Sequence, residues 1–238
     1  MPLNAQELQL ENVSLSEKVY ELLKEAILHG QLCPGERLDI FELAKILNVS
    51  RTPIKEAFNR LSIAGLIRIY PNRGTFVREL PDAQEVRDIF GARMMIELWC
   101  CEQICKAPKA IERAEESIHH CDSLFVPPAE NFDYATFFQH DRKFHDVIVD
   151  AIKNPVVNNL YGLLALNIRI IRVYWGRAFD RALASHHEHL KILEAFKEGD
   201  CDQAKEALRS HLEKTRDDMV LILNGDRRPA NLTTAERT

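Results

Sequence analysis

The sequence predicts a mostly α protein: an N-terminal winged helix-turn-helix followed by an all-helical antiparallel bundle of about six helices. Three observations predict it. Residues 14–80 carry three short helical patterns, then two apolar runs, "LIRIY" and "GTFVR", on either side of the turn sequence "PNRG". From 82 to 224 the pattern is helical, broken only at "APKA", "VPPAEN", "KNP", "WGR" and "EGD", and short connections favour antiparallel neighbours. Charge is also divided unevenly. Between 50 and 78 stand Arg51, Lys55, Arg60, Arg68, Arg73 and Arg78 against Glu56 alone, a local +5 in a chain whose net charge is −5. The boundaries expected are a loose arm at 1–13, a winged domain at 14–80, a helical domain at 82–224 and a polar tail at 225–238.

Composition narrows the class. Of 238 residues, 46% are hydrophobic and 28% charged, ordinary values for a globular chain. There is no run of about 18 apolar residues to cross a membrane, and "MPLNAQELQLENVSLSEK" lacks the basic start and apolar stretch of a secretory signal. Six cysteines in a chain this long suggest reduced thiols and a cytoplasmic location rather than a disulfide framework. Cys100, Cys101 and Cys105 read as small buried helix residues.

Ser14 and Glu17 have capping-box spacing ahead of Val19, Leu22, Leu23, Ala26 and Ile27. Gly30 ends this first helix, and "CPGERL" turns the chain. A second short helix runs from Asp39 through Phe41, Leu43, Ala44 and Leu47 to Asn48. In the third, Ser50 is placed to cap, and Pro53 falls in the first turn, where a missing N–H costs little. Ile54, Ala57, Phe58, Leu61 and Ala64 form its apolar stripe, while Arg51, Thr52, Lys55 and Asn59 lie opposite, with Arg60 near the edge. Gly65 ends it, and the hairpin follows. A helix-turn-helix places its second helix in the DNA major groove with N-terminal residues toward base edges. Arg51, Thr52 and Lys55 are therefore the expected base-reading residues. Arg73 and Gly74 are expected at the wing tip, where glycine lets the backbone approach DNA closely.

In the helical domain, polar residues occupy apolar stripes. Asp141 and His145 interrupt Tyr134, Phe137, Phe138, Ile148 and Ile152. His186 and His189 share a face with Leu193 and Phe196, and His211 stands with Ala204, Leu208 and Thr215. A buried carboxylate is normally paired or bound to metal. One aspartate and three histidines from three helices could converge on a divalent ion, since imidazole with carboxylate suits zinc, nickel, manganese or iron. Each residue alone reads more often as a hydrogen-bonded core residue, and spacing does not choose among the histidines of "SHHEHL". The first bundle helix turns Val86, Ile89, Phe90, Arg93, Glu97, Cys100 and Ile104 inward. His119, His120 and His140 read as surface residues, and Trp99, Tyr174 and Trp175 as packing or cavity wall.

The stretch "GQLCPGERL", with "LAKILNVSRTPIKEAFNRLSIAGLIRIYPNRGTFV", resembles the DNA-binding domain of bacterial transcription regulators of the GntR family. By that resemblance Arg51, Thr52, Lys55, Arg73 and Gly74 contact operator DNA. The family most often has arginine where this chain has Lys55, and lysine acts more as a point charge than as a bidentate fork. "DRKFHDVIVDAIKN" and "EHLKILEAFKEGDCDQAKEALRSHL" resemble the FCD effector domain of the FadR branch, in its metal-dependent type. That resemblance puts the metal ligands at Asp141, His145, His189 and His211. It also turns Arg93 toward an effector cavity, where a guanidinium beside the metal suits a small organic acid; a plain ion pair with Glu97 is the competing reading.

The function expected is that of a ligand-responsive transcription regulator, not an enzyme. Its expected partners are a pseudo-palindromic operator, a small carboxylate effector and a second copy of the chain. Two alternatives stay open: a metal-dependent enzyme acting on a small carboxylate, or a metal that only stiffens the bundle. No Glu or Asp stands at motif spacing beside the ligands to serve as a general base, which counts against the enzyme.

Overall fold

The computed structural model describes residues 14–125, 132–174 and 179–224, and these fall into two compact units divided between Leu80 and Pro81. The predicted arm, the tail and Trp175 lie outside the described residues.

The first unit is built from α1 (Leu15–Leu28), β1 (Arg37–Leu38), α2 (Ile40–Ile46), α3 (Arg51–Ile63), β2 (Ile67–Tyr70) and β3 (Gly74–Val77). Apolar residues at helical spacing make its core. Val19, Leu23, Ile27 and Leu28 of α1 meet Ile54, Ala57, Phe58 and Leu61 of α3, all buried. Ser14 caps α1, its hydroxyl accepting the Glu17 amide at 3.1 Å. Asp39 caps α2 by accepting from the Phe41 and Glu42 amides. The strands form one antiparallel sheet of order β1-β3-β2.

Four details depart from the sequence reading. Ser50 holds the N-cap position of α3 with extended backbone but makes no side-chain cap. Glu17 does not complete a reciprocal capping box; it pairs with Arg60 of α3 instead. Helix α2 has no fully buried residue, and Phe41 is 64% exposed. The two-residue strand β1 was not foreseen; it pairs Arg37 with Phe76 and Leu38 with Thr75.

The second unit contains α4 (Ala83–Ile104), α5 (Pro108–Asp122), a short 3-10 turn, α6 (Tyr134–Asp150), α7 (Pro155–Tyr174), α8 (Phe179–Glu198) and α9 (Cys201–Leu223). Helix α4 packs on α6, α7 and α9, while α8 packs on α5 and α9. Phe90, Ile104, Phe144, Ile148, Ile192, Leu208 and Leu212 form the middle of one continuous core. Cys100 and Cys101 are buried in it, as expected, and Cys105 is half-buried. Trp99, expected to pack, is instead 55% exposed. No helix among the described residues is long and apolar enough to cross a membrane.

Candidate nucleic-acid interface and metal centre

On α3, Pro53, Ile54, Ala57 and Phe58 turn inward, which leaves Arg51, Thr52 and Lys55 exposed together at the N-terminal end. The Arg51 guanidinium lies over the exposed Phe41 ring, 5.0 Å from its centroid. At the β2–β3 turn, Arg73 lies 5.6 Å over Tyr70. Asn72 and Gly74 take φ of 63° and 111°, the left-handed geometry that tightens the β2–β3 turn. A Cβ on Gly74 would also stand 3.3 Å from Nε of Arg37, so both space and backbone favour glycine there. Arg60 leaves the set of cations available to a partner. It is held by Glu17 and stacked 4.0 Å over Tyr20, so it braces α3 against α1.

The second unit buries a polar cluster inside its apolar core. Asp141 and His145 on α6, His189 on α8 and His211 on α9 are each no more than 3% exposed. Ring-nitrogen atoms of the three histidines lie within 4.8 Å of one another, a grouping able to hold a metal ion. His189 Nε2 is 3.2 Å from His211 Nε2 and 3.8 Å from Asp141 Oδ1. His186, the competing histidine of "SHHEHL", is spent elsewhere, its Nε2 meeting Asp122 at 2.9 Å.

Sequence reasoning missed Glu188, and it placed Glu97 inward beside Arg93 without its contact to His145. His145 Nδ1 meets Glu97 Oε2 at 2.7 Å, and His211 Nδ1 meets Glu188 Oε2 at 2.8 Å. An ionised carboxylate only accepts, so each ring carries its proton on Nδ1 and, when neutral, offers the Nε2 lone pair. Nε2 of His145 is buried with no hydrogen-bond partner, a loss of about 1–3 kcal/mol for a polar group in a protein interior. An acceptor left open in this way, beside two further imidazoles and an aspartate, fits a divalent ion of the zinc type. The sequence reading expected no Glu or Asp at motif spacing to serve as a general base; the two carboxylates that do stand here are both engaged, Glu97 with His145 and Arg93 and Glu188 with His211 and Arg181. Both meet the rings at Nδ1.

Electrostatics follow from burial. Desolvation alone would raise the Glu97 carboxyl, but Arg93 and His145 outweigh it and hold it at about 2. Burial brings the His211 imidazole down to about 4 although Glu188 opposes the shift. Arg93 is 3% exposed. Its Nε donates to Glu97 Oε1 at 2.6 Å, and the Tyr161 hydroxyl donates to the same oxygen at 2.8 Å. The ion pair weighed from the sequence is thus present. Beside it lies a cavity of about 20 Å³ lined by Arg93, Phe138, Asp141, Arg142, Tyr161 and other α6 and α7 side chains, room for about one water. Arg142 is a second cation on this wall that the sequence reading did not single out. His119 and His120 are exposed, as expected; His140 is half-buried and stacks on His120 at 4.9 Å.

Residues 15–77 match the model of the bacterial regulatory proteins of the gntR family, and residues 88–214 match the FCD domain. The chain is 27% identical over 207 residues to the HTH-type transcriptional repressor RspR of Escherichia coli, covering 84% of this chain and 86% of that one. A GntR transcriptional regulator from Rhodococcus sp. RHA1 shares the fold with a TM-score of 0.73 and 23% identity, over 90% of this chain and 99% of that one. The zinc-bound FCD domain of TM0439 aligns with a TM-score of 0.51 and 23% identity, over 60% of this chain and 97% of that one. A three-helix winged unit carrying exposed cations, followed by a six-helix unit with a buried histidine cluster, agrees with both family matches. The chain belongs to the gntR family of DNA-binding bacterial transcription regulators, with an FCD domain as its second unit.

Proposed function

We propose that this regulator reads a pseudo-palindromic operator as a homodimer and that its FCD domain holds a divalent metal and a small organic acid that modulates DNA binding. Arg51, Thr52 and Lys55 read bases in the major groove, and Arg73 and Gly74 approach the backbone at the wing. Asp141, His145, His189 and His211 hold the metal, and Arg93 faces the effector. As an operator-binding protein it works in the cytoplasm. The observation that carries this reading is the convergence of three buried imidazoles, one with an open Nε2.

The likeness to a zinc-bound FCD domain supports zinc as the first metal to test. A divalent ion held by Asp141, His145, His189 and His211 would supply positive charge to attract an anion. The protein's own residues do the rest. Glu97 and Glu188 fix the ring tautomers, Arg93 adds a cation at the cavity wall, and the apolar core excludes water. Glu97 and Glu188 are already engaged with imidazoles and arginines, which argues against a free general base and so against the enzymatic alternative.

Two measurements test the reading. Duplexes enriched from a random library by the full-length protein are expected to carry inverted half-sites. Lys55→Ala or Arg51→Ala should weaken binding by about 10–100-fold, the value of one or two good base contacts. Elemental analysis should find one metal per chain, lost in His145→Ala. A carboxylate that raises the melting temperature of the metal-loaded protein should lose this effect in Arg93→Ala. Recovery of no enriched sequence would remove the DNA half of the proposal, and the absence of stoichiometric metal would remove the other.

A further inference from the structure

We propose that Glu188, braced by Arg181, is a positioning residue of the metal centre that fixes which nitrogen of His211 is offered to the ion. This rests on the metal reading above. Glu188 precedes the ligand His189 on α8, yet its carboxylate reaches across to α9 and meets His211 Nδ1 at 2.8 Å. An acceptor fixed at Nδ1 leaves Nε2 as the donor to a metal and holds the ring's plane. Nε2 of His211 is the atom that stands 3.2 Å from His189 Nε2.

Glu188 is itself held. Both terminal nitrogens of Arg181 lie 3.3 Å from Glu188 Oε2. Arg181 also donates to Thr215 Oγ1 at 2.8 Å and pairs through Nε with Asp218 at 2.8 Å. Thr215 in turn donates its hydroxyl to the His211 carbonyl at 2.9 Å. One arginine from the first turn of α8 therefore grips both the carboxylate beneath the ring and the helical turn that carries the ring. An ion pair serving only to tie α8 to α9 is already complete in Arg181–Asp218 and needs no imidazole.

The other side of the centre repeats the plan. Glu97 accepts from His145 Nδ1 and is held by Arg93 and Tyr161. Glu97 is completely buried, whereas the Glu188 side chain is 15% exposed, so Glu188 is the member that tolerates substitution.

The test uses full-length protein and zinc alone. Zinc affinity is measured by competition with a chromophoric chelator, the cobalt(II) visible spectrum reports ligand geometry, and the metal-free melting temperature is recorded. Glu188→Ala should weaken zinc by about 10–100-fold and alter the cobalt spectrum, a loss larger than any fall in the metal-free melting temperature accounts for. Glu188→Gln keeps an acceptor and should recover part of the affinity; Arg181→Met should resemble a milder Glu188→Ala. Wild-type affinity and spectrum in Glu188→Ala would overturn the inference while leaving the metal reading intact. So would a weakened affinity matched by a lowered metal-free melting temperature, because that is the mark of a structural ion pair. A wild-type protein that takes up no zinc overturns both.

Discussion

His211 shows how much one environment decides. In an unfolded chain its imidazole takes a proton near pH 6.5, whereas in the fold burial delays this to about pH 4. Between those values the unfolded state binds more protons, so stability falls as pH drops through the window. Metal-free protein is expected to lose about 3 kcal/mol between pH 6.5 and 4 from this group, at about 1.4 kcal/mol per pH unit. Urea unfolding at a series of pH values checks it, and His211→Gln should flatten the slope by the same amount. Asp141, His145 and His211 were visible in the sequence as polar interruptions of apolar helical stripes, but only the family resemblance chose His189 from "SHHEHL". The contacts of these rings with Glu97 and Glu188 were not. Glu97 sits 48 residues from His145 and Glu188 sits 23 from His211, and helical periodicity carries no information about contacts made between helices.

Among the elements, α3 combines two roles that pull its sequence in opposite directions. Its inner face is fixed by Ile54 and Leu61, both completely buried, and its outer face by the exposed Arg51, Thr52 and Lys55. Leu61→Ala removes buried methyl groups from a unit with a small core and should cost about 2–5 kcal/mol. Thermal unfolding followed by circular dichroism would show it, and operator binding should fail above the lowered transition. All nine α-helices among the described residues follow from apolar periodicity and from breaks at Gly and Pro. Strand β1 does not, because two residues cannot display alternation, and its partner β3 is 37 or more residues away in sequence. Arg60 shows the same limit. By position it belonged near the polar face, but a tertiary contact with Glu17 and Tyr20 decides its use.

For the whole molecule, the acidic excess outside residues 50–78 leaves the basic patch as the place where DNA is favoured, an attraction that weakens with salt. The proposed homodimer has support in exposed apolar side chains on two helices that pack together: Met95 and Trp99 on α4, and Val156 and Leu160 on α7. Burying such groups favours association, so Trp99→Glu is expected to shift sedimentation toward the monomer and to weaken binding to paired half-sites more than to a single one. An unchanged sedimentation coefficient would place the contact elsewhere. The small cavity beside Arg93 has a consequence for the proposed effector. A cavity of about 20 Å³ walled by side chains from α4, α6 and α7 has room for about one water, so the proposed organic acid would have to displace part of that wall. Entry and rearrangement are then a single event. For the proposed effector, the work of parting the wall would be subtracted from its affinity, and the same work would report its arrival.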